Sequence, residues 1–441
     1  MRKYFLFLGT WLLIFRCSLL WAEDLGRITL PQAIDLAVKK NVTLKSHEAQ
    51  VESARARVLV SRSGYFPKIT ASGGVRKTRI LSDTQKEVAT FGGLPLTITE
   101  EKDVNQGTIG LALSQDIYDF GKRYYTVQQS QSSLKASGES LAMTRRRIIY
   151  EVERAFYGYF QSLNLLDVAR ESVRQFELQL QQAKVRNESG LAPLIDVTTA
   201  RMNLANARSR LQQAQAEVTM AKATLGTVIG LDPADTYEPV ETIRASRPAP
   251  VLEDILPLML RHNPLIRQAK ENVRLAQLTL KTVESEYWPT VSGQVNYLAE
   301  GDDFPLESRI IFGLQVDVPL ASGGSTYYRL KEARSNVQQS EAVLEQTIRD
   351  ARLTVVEDIT NYQKTLSQLD SLKEAGDAAE ANLEMASARY QVGLGDIIEW
   401  TNASLSLIVT KTDFVNANYS LLIIFAKLKQ DVGVDELEPC R

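Results

Sequence analysis

The sequence predicts a mainly α-helical chain with a small transmembrane β part, built from two copies of one unit. Three observations carry this. Residues 123–187 and 327–391 contain no proline and only Gly138, Gly158 and Gly376 as glycines. At 1.5 Å per residue each stretch makes roughly 100 Å of helix, a length that only a coiled coil or a scaffold accommodates. Four shorter stretches alternate apolar with polar or small residues at period two. Matching residues recur at constant spacing along the whole chain, the mark of an internal repeat.

The N-terminus comes first. Arg2 and Lys3 precede the apolar run YFLFLGTWLLIF, and Ala22 precedes Glu23 and Asp24. A basic start, an apolar middle and a small residue at the boundary predict an export signal over 1–22. Arg16 inside the 1–22 segment and Leu20 at the −3 position depart from that pattern, and the alternative is a membrane anchor helix. Cys17 follows IFR, a poor context for acylation. Loss of 1–22 removes three cations and no acid, so the net charge moves from −2 to −5. Cys440 is then the remaining cysteine and no intrachain disulfide forms, so packing or oligomerisation has to stabilise the exported chain. No later run approaches the ~20 apolar residues of a spanning helix; a membrane crossing would use strands. There is no block of like charge and no basic face of the kind that binds nucleic acid.

The repeat follows. Asn41, Ser63, Tyr65, Phe66 and Pro67 pair with Asn263, Ser285, Tyr287, Trp288 and Pro289 at an offset of 222. From Gly110 onward the offset is 203 and holds without a gap: Gly121 with Gly324, Gly190–Leu191 with Gly393–Leu394, Ala200 with Ala403, Gly230 with Gly433. The 19-residue difference falls between about 76 and 109. Each unit reads as medium helix, strand, loop, strand, very long helix, glycine turn, medium helix. The expected organisation is a signal at 1–22, a first repeat at 23–230 with a hairpin over about 67–119, a linker at 231–252, a second repeat at 253–435 with a hairpin over about 289–320, and a tail at 436–441. In the last helix of each unit, Leu204, Ala207, Leu211, Ala214, Val218, Ala221, Leu225 and Val228, and Leu405, Ile408, Thr412, Val415, Tyr419, Leu422 and Ala426, follow heptad spacing. Such thin seams pack helices side by side in a wide array rather than around a thick core.

In the strands, Ile69, Ala71, Gly73 and Val75 alternate with Lys68, Thr70, Ser72 and Gly74. Ile109, Leu111 and Leu113, then Val291, Val295 and Tyr297, then Ile310, Phe312, Leu314, Val316 and Val318, lie on equivalent faces of three further strands. No thick layer elsewhere in the sequence could bury these faces, and aromatics flank them: Tyr65 and Phe66, Tyr118 and Phe120, Tyr287 and Trp288. Aromatics gather at the membrane–water boundary, and Pro67 and Pro289 end the preceding helices. The motif therefore predicts a junction between a water-exposed helix and a lipid-facing strand. Four strands cannot close a barrel, and an open edge in lipid leaves unpaired amides costing several kcal/mol each. Three chains would supply twelve strands and a matching tube of helices.

At this point the sequence resembles the outer membrane factor, or TolC-like, family of export channels. The resemblance rests on Asn41–Leu44 and Asn263–Ile266, on the YFP and YWP junctions, on the DFG and SGG turns, and on the tips GLAPLIDVTTA and GLGDIIEWTNA, all in order and doubled. It implies a homotrimer with a 12-stranded β-barrel in the outer membrane and a long α-barrel across the periplasm, in contact with outer membrane lipid. It also implies docking to a periplasmic adaptor (membrane fusion) protein and, through it, to an inner-membrane pump of RND, ABC or MFS type, in efflux or type I secretion. By position, the acidic constriction of such channels falls on Glu399 and Asn402, with Asp196 and Thr199 as first-repeat counterparts; Glu399 is equally a helix-start residue favoured by the dipole. Members can tie the closed tip with a tyrosine and an arginine. Tyr390 stands at the tyrosine position, but Gly395 at the arginine position, with Asp396 as a different contact. Gly190 and Gly393 suit helix C-caps, and Leu191 and Leu394 are candidate adaptor contacts.

No enzyme is expected. His47 and His262 occupy non-equivalent positions with no cysteine near them, GLGD at 393–396 follows no strand, and no metal or cofactor site emerges. The competing readings are a periplasmic adaptor, which would have one hairpin rather than two, and a coiled-coil scaffold, which would need neither strands nor junction aromatics.

Overall fold

The computed structural model describes residues 24–80, 85–91, 94–99, 102–231, 236–241, 250–301 and 305–435. The signal at 1–22 with Cys17, most of the linker at 231–252 and the tail at 436–441 with Cys440 lie outside the described residues. The order is β1 (Asp24–Ile28), α1 (Leu30–Lys40), α2 (Val42–Ser63), β2 (Lys68–Ile80), β3 (Gln85–Phe91), β4 (Leu94–Thr99), β5 (Lys102–Tyr118), α3 (Lys122–Glu188), α4 (Leu194–Ile229), β6 (Thr236–Pro239), α5 (Leu252–His262), α6 (Pro264–Ser285), β7 (Thr290–Gly301), β8 (Glu307–Asp317), α7 (Ser325–Gln391) and α8 (Ile397–Val432). The four helices before β6 and the four after it have the same lengths in order: 11, 22, 67 and 36 residues.

Each medium helix expected at the head of a unit is two helices, broken at Asn41 and at Asn263. At the second break Pro264 opens α6, and the Asn263 side chain accepts from the Leu265 and Ile266 amides at 2.8 and 3.2 Å. This caps α6. The same amide donates to the Asp431 carbonyl at 2.6 Å, near the end of α8. At the other end of these helices, the Ser63 and Ser285 hydroxyls donate back to the Val60 and Thr282 carbonyls, each at 2.6 Å. They occupy last-turn acceptors that the following proline prevents the helix from using.

β2, β5, β7 and β8 form one antiparallel sheet in that order, leaving β2 and β8 as its two edges. The register aligns the apolar faces across all four strands. Ile69, Leu113, Val295 and Phe312 form one row, and Ala71, Leu111, Tyr297 and Ile310 the next. The rows flanking Ile69 belong to the other face: Lys68, Ser114, Gln294 and Gly313, then Thr70, Ala112, Asn296 and Ile311. Ile69, Phe312 and Leu314 are exposed.

Among the described residues two pairings lie outside this sheet. β3 and β4 form a separate hairpin within the 19-residue excess of the first repeat. β1 runs parallel to β6, and the Val240 amide donates to the Ile28 carbonyl at 2.9 Å.

The chain divides into two units, one of residues up to 41, 147–249 and 360–427, the other of 42–146, 250–359 and 428 onward. Among its described residues the first holds apolar clusters of Phe176 with Leu204 and Ala207, of Ala183 with Val197 and Ala200, and a larger one around Tyr390, Trp400, Ala403 and Leu407. The second centres on Ile255, Met259, Ile266, Val355, Ile359, Leu428 and Val432. In α8 the buried face near the turn runs through Ile397, Trp400, Ala403 and Leu407, whereas the expected seam residues Leu405 and Ile408 are half-buried. A helix flanked on two sides buries two stripes, and heptad counting detects only one of them.

Candidate functional site

Both hairpin turns close in the same way. The Leu191 amide donates to the Arg186 carbonyl and the Leu394 amide to the Arg389 carbonyl, each at 2.8 Å. Gly190 (φ +71°) and Gly393 (φ +83°) take the left-handed position that this helix ending requires. Asp396 caps α8, its side chain accepting from the Glu399 amide at 2.6 Å. In and just beyond the turns, Leu191, Leu194, Ile195, Val392, Leu394 and Ile398 are exposed.

The two tips are equivalent in backbone and different in side-chain use. In the second, Arg389 stays within its own hairpin: Nε lies 3.2 Å from Glu399 Oε1, and Nη2 donates to the Leu394 carbonyl at 3.2 Å. Arg186 and Asp196, which stand 203 positions earlier, do not pair with each other in that way. Both reach to Tyr390 in the other repeat. Asp196 Oδ2 accepts from the Tyr390 hydroxyl at 3.1 Å. Arg186 Nη1 donates to the Tyr390 carbonyl at 2.7 Å and the Gln391 carbonyl at 2.9 Å, and its guanidinium lies 5.1 Å from the ring centroid of Tyr390. Tyr390 is 2 % exposed and packs on Trp400 at 5.4 Å. Burial first, then the Asp196 charge and hydrogen bond, push its phenol up to about 12, with Arg186 pulling the other way. Farther along the helices, Gln179 donates to the Thr401 hydroxyl at 2.9 Å and Asn203 to the same oxygen at 3.3 Å.

Of the residues singled out from sequence, the structure thus joins Tyr390 to Asp196 and places Glu399 on Arg389. Asn402 is exposed and Thr199 half-buried one turn further along. Arg186 was missed. Its signal was available, since the 203-residue offset aligns it with Arg389 beside Tyr390, but its reach across repeats is a property of the fold.

The sheet-to-helix junction is also braced. Tyr65, Phe66, Tyr287 and Trp288 are exposed. Arg123 donates to the Asp119 carboxylate at 2.7 Å and to the carbonyls of Gly64, Asp116 and Ile117 at 3.2, 2.6 and 3.2 Å, and lies over the Tyr65 ring at 5.1 Å. Phe120 adopts φ +52°, a strained value for a side-chain-bearing residue. Its ring stacks on Trp288 at 5.2 Å and meets Tyr118 edge-on at 4.7 Å. In the second repeat the same positions are Gly323 at φ +61°, with a Ser322–Thr326 hydroxyl contact of 3.0 Å in place of the ion pair.

Two 67-residue helices, each paired with a 36-residue one and ending in a cross-braced tip, together with a four-stranded amphipathic sheet open at both edges among the described residues, are the parts of a membrane channel protein. The family described as outer membrane efflux protein matches residues 33–231 and 255–434. The toluene efflux pump outer membrane protein TtgC of Pseudomonas putida is 21 % identical over 419 residues, covering 94 % of this chain and 84 % of that protein. Among solved structures, CusC superposes with a TM-score of 0.81 at 18 % identity, covering 92 % of each chain. VceC of Vibrio cholerae superposes with a TM-score of 0.80 at 18 % identity, covering 92 % of this chain and 96 % of that one. The chain belongs to the outer membrane efflux protein family, a family of channel proteins of the outer membrane.

Proposed function

We propose that three copies of this chain close a twelve-stranded barrel and a helical tube, forming a passive, gated conduit of a tripartite efflux or type I secretion system. The observation that carries this is the β2-β5-β7-β8 sheet, whose apolar rows run unbroken across four strands that end in two unpaired edges. In lipid such edges have to be paired, and β8 of one copy meeting β2 of the next pairs both. The repeats span 23–230 and 253–435, joined by the 231–252 linker, after an export signal at 1–22. No reaction is catalysed; a periplasmic adaptor and an inner-membrane pump supply recognition and energy, and Leu191 and Leu394 beside Gly190 and Gly393 are the adaptor's contacts. The aromatic pairs before Pro67 and Pro289 sit at the periplasmic boundary of the bilayer. The tip is the gate. The Tyr390–Asp196 bond holds the two hairpins of a chain together, and Glu399 and Asn402, with Asp196 and Thr199, line the constriction.

The test is to purify the chain from outer membranes, run it unheated and boiled on a denaturing gel, and record it in planar bilayers. A heat-sensitive band at three times the chain mass, with a small resting conductance, is expected. A folded monomer in detergent-free buffer would overturn the reading.

A further inference from the structure

Duplication gave each tip an arginine and an acid ten residues apart, Arg389 with Glu399 and Arg186 with Asp196. The pair of the second repeat, Arg389 and Glu399, closes on itself at 3.2 Å. The first has opened around Tyr390, with the acid on its hydroxyl and the arginine on its carbonyl and ring. We infer that Arg186 is a positioning residue of the gate: it fastens the end of α3 to the end of α7, and the two hairpins part only when its guanidinium releases the Tyr390 and Gln391 carbonyls. This rests on the tip being the gate.

The geometry supports a tie rather than a local cap. A guanidinium presents several donors in a rigid planar fork. Arg186 spends one nitrogen on the last two carbonyls of α7 and directs the other to the Leu191 carbonyl of its own turn, at 3.5 Å. It therefore spans two turns that belong to different repeats. Carbonyls at a helix C-terminus carry the negative end of the dipole, which favours a cation there. The neighbouring backbone leaves little slack, since a methyl group on Gly393 would lie 3.3 Å from Arg186 Nη2, whereas one on Gly190 would meet nothing within 4 Å.

Planar-bilayer recordings of the full-length channel test this, with the heat-sensitive gel band as the check on assembly. Arg186→Ala is expected to raise the resting conductance by about tenfold or more, since each charge-assisted bond is worth roughly a factor of ten. Arg186→Lys should fall between that variant and the parent, because an ammonium cannot span two carbonyls and stack on a ring. Tyr390→Phe tests the gate itself. If it raises the conductance and Arg186→Ala does not, the role of Arg186 is overturned and the gate reading stands. If neither raises it, the gate reading falls as well. If Arg186→Ala abolishes the assembled band, Gly393→Ala and Gly190→Ala decide. Both impose a left-handed strain, and only the first displaces the guanidinium. A larger rise for Gly393→Ala supports the tie, and equal rises overturn it.

Discussion

Tyr390 donates its hydroxyl hydrogen to Asp196 at 3.1 Å, and the two residues belong to different copies of the duplicated unit. The bond joins positions 194 residues apart, beside the Arg186 bonds to the Tyr390 and Gln391 carbonyls and the Gln179 and Asn203 bonds to Thr401 that cross the same repeats. Replacing Tyr390 by Phe keeps the ring on Trp400 and removes only this bond. A net loss of about 1 kcal/mol is expected, read as a several-fold rise in resting conductance with little change in Trp400 fluorescence. Asp196→Ala should match it.

Burial, together with the Asp196 charge and this bond, sets a pH dependence. An unperturbed tyrosine titrates near 10, and Tyr390 is pushed up to about 12. The folded state therefore holds the proton more tightly. The contribution of the bond is complete below about pH 10 and is lost as pH rises from there through about 12. The conductance gap between parent and Tyr390→Phe should stay constant across neutral pH and narrow only in strong alkali. A gap that closes between about pH 7 and 9 would contradict this assignment.

Arg123 and Asp119 are mostly buried, with side chains 16 % and 12 % exposed. Arg123→Ala leaves the Asp119 carboxylate, among the described residues, with the backbone amide of position 123 at 3.0 Å, at a cost of about 3 kcal/mol. The urea midpoint, followed through Trp288 fluorescence, should fall accordingly. Thr326→Ala, the equivalent change in the other repeat, should cost no more than about 1 kcal/mol.

Gly433 ends α8 at φ +88°, and a methyl group there would lie 2.5 Å from the His262 carbonyl oxygen and 2.9 Å from Asn263 Cα. Both obstacles are backbone, so neither can swing aside. Gly433→Ala adds a left-handed penalty of about 1 kcal/mol to an overpacking cost of about 2 kcal/mol. Thermal unfolding should report a sum near 3 kcal/mol.

Phe312 and Gln294 lie one row apart on opposite faces of the sheet. Phe312→Lys puts a charge on the apolar side and should cost about 2–4 kcal/mol of insertion free energy near the bilayer midplane. Gln294→Lys should leave the folded fraction in liposomes close to that of the parent.

The long helices and the amphipathic strands were legible in the sequence because each signal repeats over many residues. Proline is absent from two stretches of more than sixty residues, and alternation is kept through four strands. The breaks at Asn41 and Asn263 were not legible as breaks, since a helical run resumes at once on either side of a single residue. The β1–β6 pair was too short for any period to show, at five and four residues. At the tip, Tyr390 stood out only through resemblance. Arg186 is one arginine among many until the fold brings its fork to the end of α7.

The two corners where sheet meets helix hold the same backbone shape by different chemistry, an ion pair in one and a hydroxyl contact in the other. Hydration of charged groups weakens on heating, so the desolvation penalty of an ion pair shrinks as temperature rises. A neutral hydroxyl contact gains nothing comparable. Warming should therefore widen the difference between the corners, and fraying of a heated subunit should begin at Ser322 and Thr326 while Arg123 still grips.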